Sequence, residues 1–269
     1  MKSTNPFARR FLALAIIGGL LTPMSVPAAQ NTDTTERVKV FAFISRRPDL
    51  TQDQFNAHWR DPHARLAIKT PLILRYVQNH TVGTGAAIPG LKLMHRDGIA
   101  SIWVANTGML TAITADPLYA EVHEDELSLL DRNTLGWLMA EEHEVTLGLS
   151  ANDLTSVQTK AILFVQRNAG VTQAQFAKGL RKIAHAGTSM AGQGRVTYSL
   201  PAAGVYTTEA PAPYDGVVEL WFSNTDSFER QWRRHGPKFL RKLSVIADVD
   251  ASQGFLATEE RKLWPALSY

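Results

Sequence analysis

The sequence contains itself twice, and this constrains the fold more than any other feature. Phe43, Arg46, Thr51, Gln52, Gln54 and Phe55 recur as Phe164, Arg167, Thr172, Gln173, Gln175 and Phe176, each displaced by 121 positions. Asp97-Gly98, Trp103, Asn106 and Thr107 recur as Asp215-Gly216, Trp221, Asn224 and Thr225, displaced by 118. Towards the ends, Gly136, Leu138, Ala140, Glu141 and Glu142 return as Gly254, Leu256, Ala257 at a slight slip, Glu259 and Glu260. A near-constant offset across three blocks is the mark of a duplicated unit, and the drift of three needs one net deletion between the second and third strands.

Each half reads as strand, helix, strand, strand, helix, strand. In the first half the periodicity predicts strands near 37–45, 73–82, 98–105 and 137–147, with helices near 51–69 and 108–133. In the second it predicts strands near 158–167, 195–203, 215–223 and 254–263, with helices near 172–190 and 225–247. Thr51 with Gln54 makes a capping box that opens the first helix. Arg60-Asp61-Pro62-His63 reads as a second helix start, with Asp61 as cap and Pro62 at the first helical position. An antiparallel sheet with helices on one face leaves its other face apolar and in need of a partner. The second half can supply that partner. We therefore expect domains at 37–149 and 156–265, joined by the short polar linker Ser150-Ala151-Asn152-Asp153.

The stretch R-P-D-L-T-x-x-x-F-x-x-H-W-x-D-P-H-A from Arg47 to Ala64, followed by R-Y-V-Q-N-H from Arg75 to His80, resembles the EthD family within the dimeric α+β barrel group. The resemblance implies a ferredoxin-like unit whose sheet faces a second sheet. Fold class α+β follows, with two such units forming a pseudo-dimeric barrel inside one chain. Barrels of this type host cofactor-independent monooxygenases, polyketide cyclases, dehydratases and, with a histidine ligand, haem enzymes.

The N-terminus carries Lys2, Arg9 and Arg10, an apolar run from Phe11 to Leu21, and small residues at Val26-Pro27-Ala28-Ala29. Residues 1–29 read as a secretory signal, with a core shorter than the roughly 20 residues a membrane span requires. Arg9-Arg10-Phe11-Leu12 places its Phe-Leu pair one position early for a twin-arginine signal, so the reading favours Sec export to the periplasm or beyond. Without those three basic residues, the 28 Lys and Arg fall to 25, equal to the 25 Asp and Glu. A neutral mature chain gives no overall electrostatic case for nucleic acid or an anionic membrane. The absence of cysteine excludes disulfides, thiolate metal sites and cysteine nucleophiles.

The duplication also locates the expected chemistry. Six of the eight histidines lie in the first half, and His58, Trp59 and His63 map by the 121 offset to Gly179, Leu180 and Ala184. The site is therefore expected mainly in the first copy. His63, in the first turn of a helix begun by Pro62, is the expected general acid or base, because the positive helix end disfavours imidazolium. Tyr76 and His80, four apart on a strand, point to one sheet face and are expected to polarise or position the substrate. Trp59, His58, Trp103 and Asp61 are the expected substrate-binding residues. His143 and His123 have no metal-ligand spacing, and Glu141-Glu142 recurring in both copies points to a structural role.

Gly83 to Ile88 fails the dinucleotide fingerprint, and Gly187 to Gly192 is not a nucleophile elbow. With no cofactor motif and no metal set, the expected chemistry is acid–base catalysis on a small hydrophobic or aromatic molecule. Combined with the resemblance, this is an exported oxidoreductase of monooxygenase type. The competing readings are a lyase, dehydratase or cyclase using the same pocket, or a non-catalytic periplasmic binding protein. The expected assembly is a monomer with an internal pseudo-dimer, or a homodimer of such chains.

Overall fold

A run apolar at every position but Lys39 forms β1 (Val38–Ile44), buried on both faces, and its duplicate forms β6 (Val157–Arg167). In the computed structural model, residues 38–83, 87–145, 157–191 and 195–264 are described; the expected export segment at 1–29 and the linker at 150–153 lie outside them. The first copy continues with α1 (Gln52–His58), a π-helical turn at Trp59–His63, α2 (Ala64–Ala67), β2 (Arg75–Thr81), β3 (Lys92–Leu93), β4 (Gly98–Val104), α3 (Met109–Ala115), α4 (Pro117–Leu129) and β5 (Gly136–Glu144). The second continues with α5 (Gln173–Gly187), β7 (Val196–Pro201), β8 (Gly216–Phe222), α6 (Thr225–Leu243) and β9 (Ala247–Leu263). Three features were not foreseen: the short β3, which pairs in parallel with β9, the early start of β9 at Ala247, and the extended backbone at Asp116 that divides the expected helix at 108–133 into α3 and α4.

The strands run in the order β2-β4-β1-β5-β7-β8-β6-β9, and β9 returns to pair with β2. The last strand of each copy thus pairs with the second strand of the other, so eight strands close into a barrel with no free edge between the copies. Phe41, Phe43, Ile99 and Leu138 of the first copy meet Ile162, Phe164, Val217 and Phe255 of the second in one buried cluster. Phe164 lies edge-on to Phe41 at 5.7 Å and to Phe43 at 5.2 Å between ring centroids. Each fully buried ring contributes roughly 1.5–3 kcal/mol, which is why the two sheets stay face to face. The opposite sheet faces carry the helices, α1 to α4 on the first copy and α5 and α6 on the second.

The duplicated residues are those the unit needs locally. Thr51 and Thr172 each form a complete capping box, with Gln54 and Gln175. The backbone N–H groups of Arg46 and Arg167 donate to Asp97 and Asp215, both at 2.8 Å, tying the end of the first strand to the start of the third. A Cβ on Gly98 would lie 2.2 Å from the Trp59 ring, and one on Gly216 would lie 2.6 Å from Leu180, so only glycine lets the helix approach there.

The structure corrects two sequence readings. Lys39 pairs across the sheet with Ala140, and Lys160 with Ala257, so the last strands correspond at an offset of 117. Glu142 therefore matches Glu259 rather than Glu260, and the one-residue difference moves the side chain to the other sheet face. In addition, Asp61 does not start a second helix. The chain passes from α1 to α2 through the π turn, Asp61 pairs with Arg65 at 3.0 Å on the surface, and His63 lies within a continuous helical path rather than at a positive helix end.

Candidate active site

Between the first-copy sheet and its helices, α1 and the π turn deliver His58, Trp59 and His63, and β2 delivers Tyr76, Gln78 and His80. Residues 76, 78 and 80 share the helix-facing side of β2 because strand side chains alternate. Trp59 Nε1 donates to the Tyr76 hydroxyl oxygen at 3.2 Å, and Gln78 Nε2 donates to it at 3.0 Å. Gln78 also donates to the Trp59 carbonyl. The two ring nitrogens of His80 lie 3.1 Å from Gln78 Oε1 and 3.3 Å from Asn56 Oδ1, and its ring sits 4.5 Å from that of Trp59. Burial lowers the His80 pKa to about 4, so it is neutral at ordinary pH. Burial likewise raises the Tyr76 phenol, which stays protonated. Its own proton has no acceptor among the described hydrogen bonds.

His63 and His58 converge on a residue the sequence reading missed. Asp125, from α4, accepts from His63 Nδ1 at 2.8 Å with one oxygen and lies 2.6 Å from His58 Nε2 with the other. Burial pushes the Asp125 carboxyl up, but the hydrogen bonds and charges of the two imidazoles outweigh this and hold it below the usual carboxylate range. The aspartate fixes the tautomer, leaving His63 Nε2 as the basic nitrogen, with no hydrogen-bond partner among the described residues. His63 is buried, His58 is half-buried, and a shallow groove along α4 lined by Ala120, Glu121, Glu124, Asp125 and Ser128 reaches the shared carboxylate from outside. Glu126, raised by burial, acts electrostatically on Tyr76 and is acted on by His63, which places the three in one field. No local spacing announces a contact across 62 residues, so nothing in the sequence pointed to Asp125.

Of the expected site residues, His58, Trp59, His63, Tyr76 and His80 come together in this layer. Asp61 does not: it lies on the surface. Trp103 does not either, because it points into the barrel and donates to Glu142 at 2.8 Å. His143 stacks on Tyr198 at 4.7 Å, and among the described residues no group of three or more His, Asp or Glu is placed to hold a metal. The layer does not fit a haem. Phe55, Trp59 and Tyr76 pack against one another there and leave no space of porphyrin size, and both His80 nitrogens already face amide oxygens.

The barrel interior, in contrast to the helix layer, draws ionisable groups from both copies. Lys39 Nζ lies 2.7 Å from Glu142 and 2.5 Å from Glu219; Lys160 Nζ lies 3.2 Å from Glu219 and 2.8 Å from Glu259. The result is a buried ladder Glu142–Lys39–Glu219–Lys160–Glu259 spanning both copies. Trp103 and Trp221 donate to Glu142 and Glu259 at 2.8 Å each, and Arg195 stacks over Trp221 at 3.9 Å. Burial disfavours the charged Lys39, yet the charges of Glu142 and Glu219 raise its pKa; Glu142 and Glu259 are held down to about 2. Lys39 and Lys160 obey the 121 offset, a signal present in the sequence and not used.

Residues 47–133 match the EthD domain model. No curated protein matches the chain. A protein of Fusobacterium nucleatum subsp. nucleatum put forward as a monooxygenase has a TM-score of 0.56 at 8% identity, over 88% of this chain and 99% of its own. An anthrone oxidase-like protein has a TM-score of 0.54 at 8% identity, over 88% and 98%. Identity this low speaks for the fold alone, and the fold is the two-unit α+β barrel built above. The chain carries an EthD domain across its first copy, within an α+β barrel that one polypeptide closes by itself.

Proposed function

We propose that the first copy is an acid–base site of an exported, cofactor-independent oxidoreductase of monooxygenase type, acting on a small hydrophobic or aromatic molecule with an acidic proton near a carbonyl or phenol. The EthD domain and the fold shared with proteins named as a monooxygenase and as anthrone oxidase-like support the class. The observation that carries the mechanism is the His63–Asp125 hydrogen bond, which leaves His63 Nε2 open as a base. His63 removes the proton, and Asp125 orients the imidazole and stabilises the imidazolium that forms. The Tyr76 hydroxyl, held by Trp59 and Gln78, donates to the substrate oxygen as negative charge develops there. The resulting anion is oxidised by dioxygen, one oxygen atom entering the product as a new carbonyl and the other leaving as water with the two hydrogens taken from the substrate carbon.

The purified protein is assayed for product formation and oxygen uptake with a panel of small hydroxyaromatic ketones. A positioned base contributes about 10²–10⁴-fold, so His63→Ala lowers turnover by that range and Asp125→Asn by less. An undiminished rate in His63→Ala removes it from the mechanism. Turnover without oxygen uptake assigns the site to a lyase or cyclase. The near-complete burial of Tyr76 and His80 favours one second reading, a non-catalytic binding protein; it is the conclusion if ligands bind and none turns over.

A further inference from the structure

The neutrality of the mature chain conceals a segregation of charge between the two helix layers. Helices α5 and α6 together carry nine cations, Lys178, Arg181 and Lys182 on the first and Arg230, Arg233, Arg234, Lys238, Arg241 and Lys242 on the second, against only Asp226 and Glu229. All nine are exposed. None of them has an ion pair or a side-chain hydrogen bond among the described residues. Elsewhere cations are mostly matched, as in Arg60 with Glu260, Arg65 with Asp61, Arg132 with Glu126 and Lys262 with Glu260. The equivalent layer of the first copy is acidic, with Asp53, Asp61, Glu121, Glu124, Asp125 and Glu126 against Arg60 and Arg65.

The basic layer is also internally strained by charge. Arg230, Arg234, Lys238 and Lys242 follow one another at intervals of four, and like charges at that spacing repel along a helix. An unscreened row of this kind is stabilised when an anionic surface covers it. From these observations we infer that the α5–α6 face docks the protein on an anionic phospholipid bilayer.

Three features select a bilayer over other polyanions. The face is extended, formed by two helices in contact with each other over one sheet, with α6 alone about 28 Å long at 19 residues. Its aromatic residues, Phe176, Phe228, Trp232 and Phe239, are all buried in the core, so no ring is available to stack on a nucleic-acid base. Clusters of basic residues on a helix are the common means of holding a protein at anionic headgroups. Between the helices a cleft lined by Ser189, His235, Lys238 and Lys242 over Met190 and Phe239 is suited to a single phosphate headgroup. Because the apolar side of α6 packs on its own sheet, the attachment is electrostatic and therefore sensitive to salt.

The test is co-sedimentation of the full chain with vesicles of phosphatidylglycerol and phosphatidylcholine, compared with phosphatidylcholine alone. Taking the difference removes the apolar contribution of the N-terminal run, and comparing variants that all keep Lys2, Arg9 and Arg10 removes the contribution of those charges. We expect a preference for the anionic vesicles that disappears between about 0.1 and 0.5 M salt. Arg234→Glu/Lys238→Glu lowers that preference at least tenfold, whereas Lys69→Glu/Lys92→Glu, the same charge change at exposed sites elsewhere, leaves it intact. The first variant folds with an equal or higher thermal midpoint, since the new glutamates sit four residues from Arg230 and Lys242. Equal binding to both vesicle types, equal loss in the two variants, or retention of duplex DNA without a preference for anionic vesicles would each overturn the proposal.

Discussion

Replacing Lys39 with methionine interrogates the buried ladder that joins the two copies. Lys39 is fully buried, with Glu142 at 2.7 Å and Glu219 at 2.5 Å, and its side chain is close in volume to methionine, so the change removes charge with little change of shape. Removing one member of a buried ion pair typically costs about 3–5 kcal/mol, because the other charge is left without compensation. At about 2–4 °C per kcal/mol for a chain of this size, the thermal midpoint at neutral pH falls by roughly 6–20 °C. The pH dependence gives a sharper readout. In the native protein Glu142 is held down to about 2 against about 4.3 when unfolded, so it contributes stability above pH 4.3 that is lost as pH falls towards 2. Without Lys39, burial is opposed only by the charge of Arg195 and the Trp103 hydrogen bond, so the Glu142 carboxyl rises from about 2 and the stability it contributes above pH 4.3 shrinks. Denaturation of both proteins in urea at pH 3 and pH 6 measures this smaller rise. Lys39→Met/Glu142→Gln, which removes the stranded carboxylate and keeps an acceptor for Trp103, recovers at least half of the loss. A cost within about 1 kcal/mol at pH 7, or an unchanged pH slope, refutes the reasoning.

Other consequences are equally direct. His80, neutral because burial lowers its pKa to about 4 against about 6.5 unfolded, contributes roughly 3 kcal/mol above pH 6.5 that is lost as pH falls to 4; in His80→Gln the stability slope over that window shrinks by about one proton, as read from urea midpoints. Gly98→Ala drives a Cβ to 2.2 Å from the Trp59 ring and costs about 1–3 kcal/mol by overpacking, and it displaces Trp59 from Tyr76, seen as a change in tryptophan emission. Thr51→Ala and Thr172→Ala each cost about 1 kcal/mol by loss of a helix cap. Equality of the two measured losses checks that the duplicated capping boxes are energetically equivalent.

Local physics made the architecture legible in the chain. The strand and helix signals of one copy and their repetition in the other placed eight strands, the Thr51–Gln54 capping box placed a helix start, and the repeat offset announced that one sheet would find its partner in the same polypeptide. His58, Trp59 and His63 were legible as residue types without counterparts in the second copy, and the spacing of Tyr76 and His80 gave their common face. What closed only in three dimensions was every pairing across long sequence distance. Asp125 reaches His58 and His63 because α4 lies beside the π turn, and no periodicity encodes that contact. A one-residue slip in β9 decides that Glu259, not Glu260, enters the barrel, and sequence matching is blind to it because either glutamate aligns. The basic α5–α6 face is invisible in a formal net charge of only +3, since a sum over residues discards position. The sequence determines which elements form and how many times; the tertiary structure alone decides which charges meet, because charge pairing depends on distances that only the closed barrel sets.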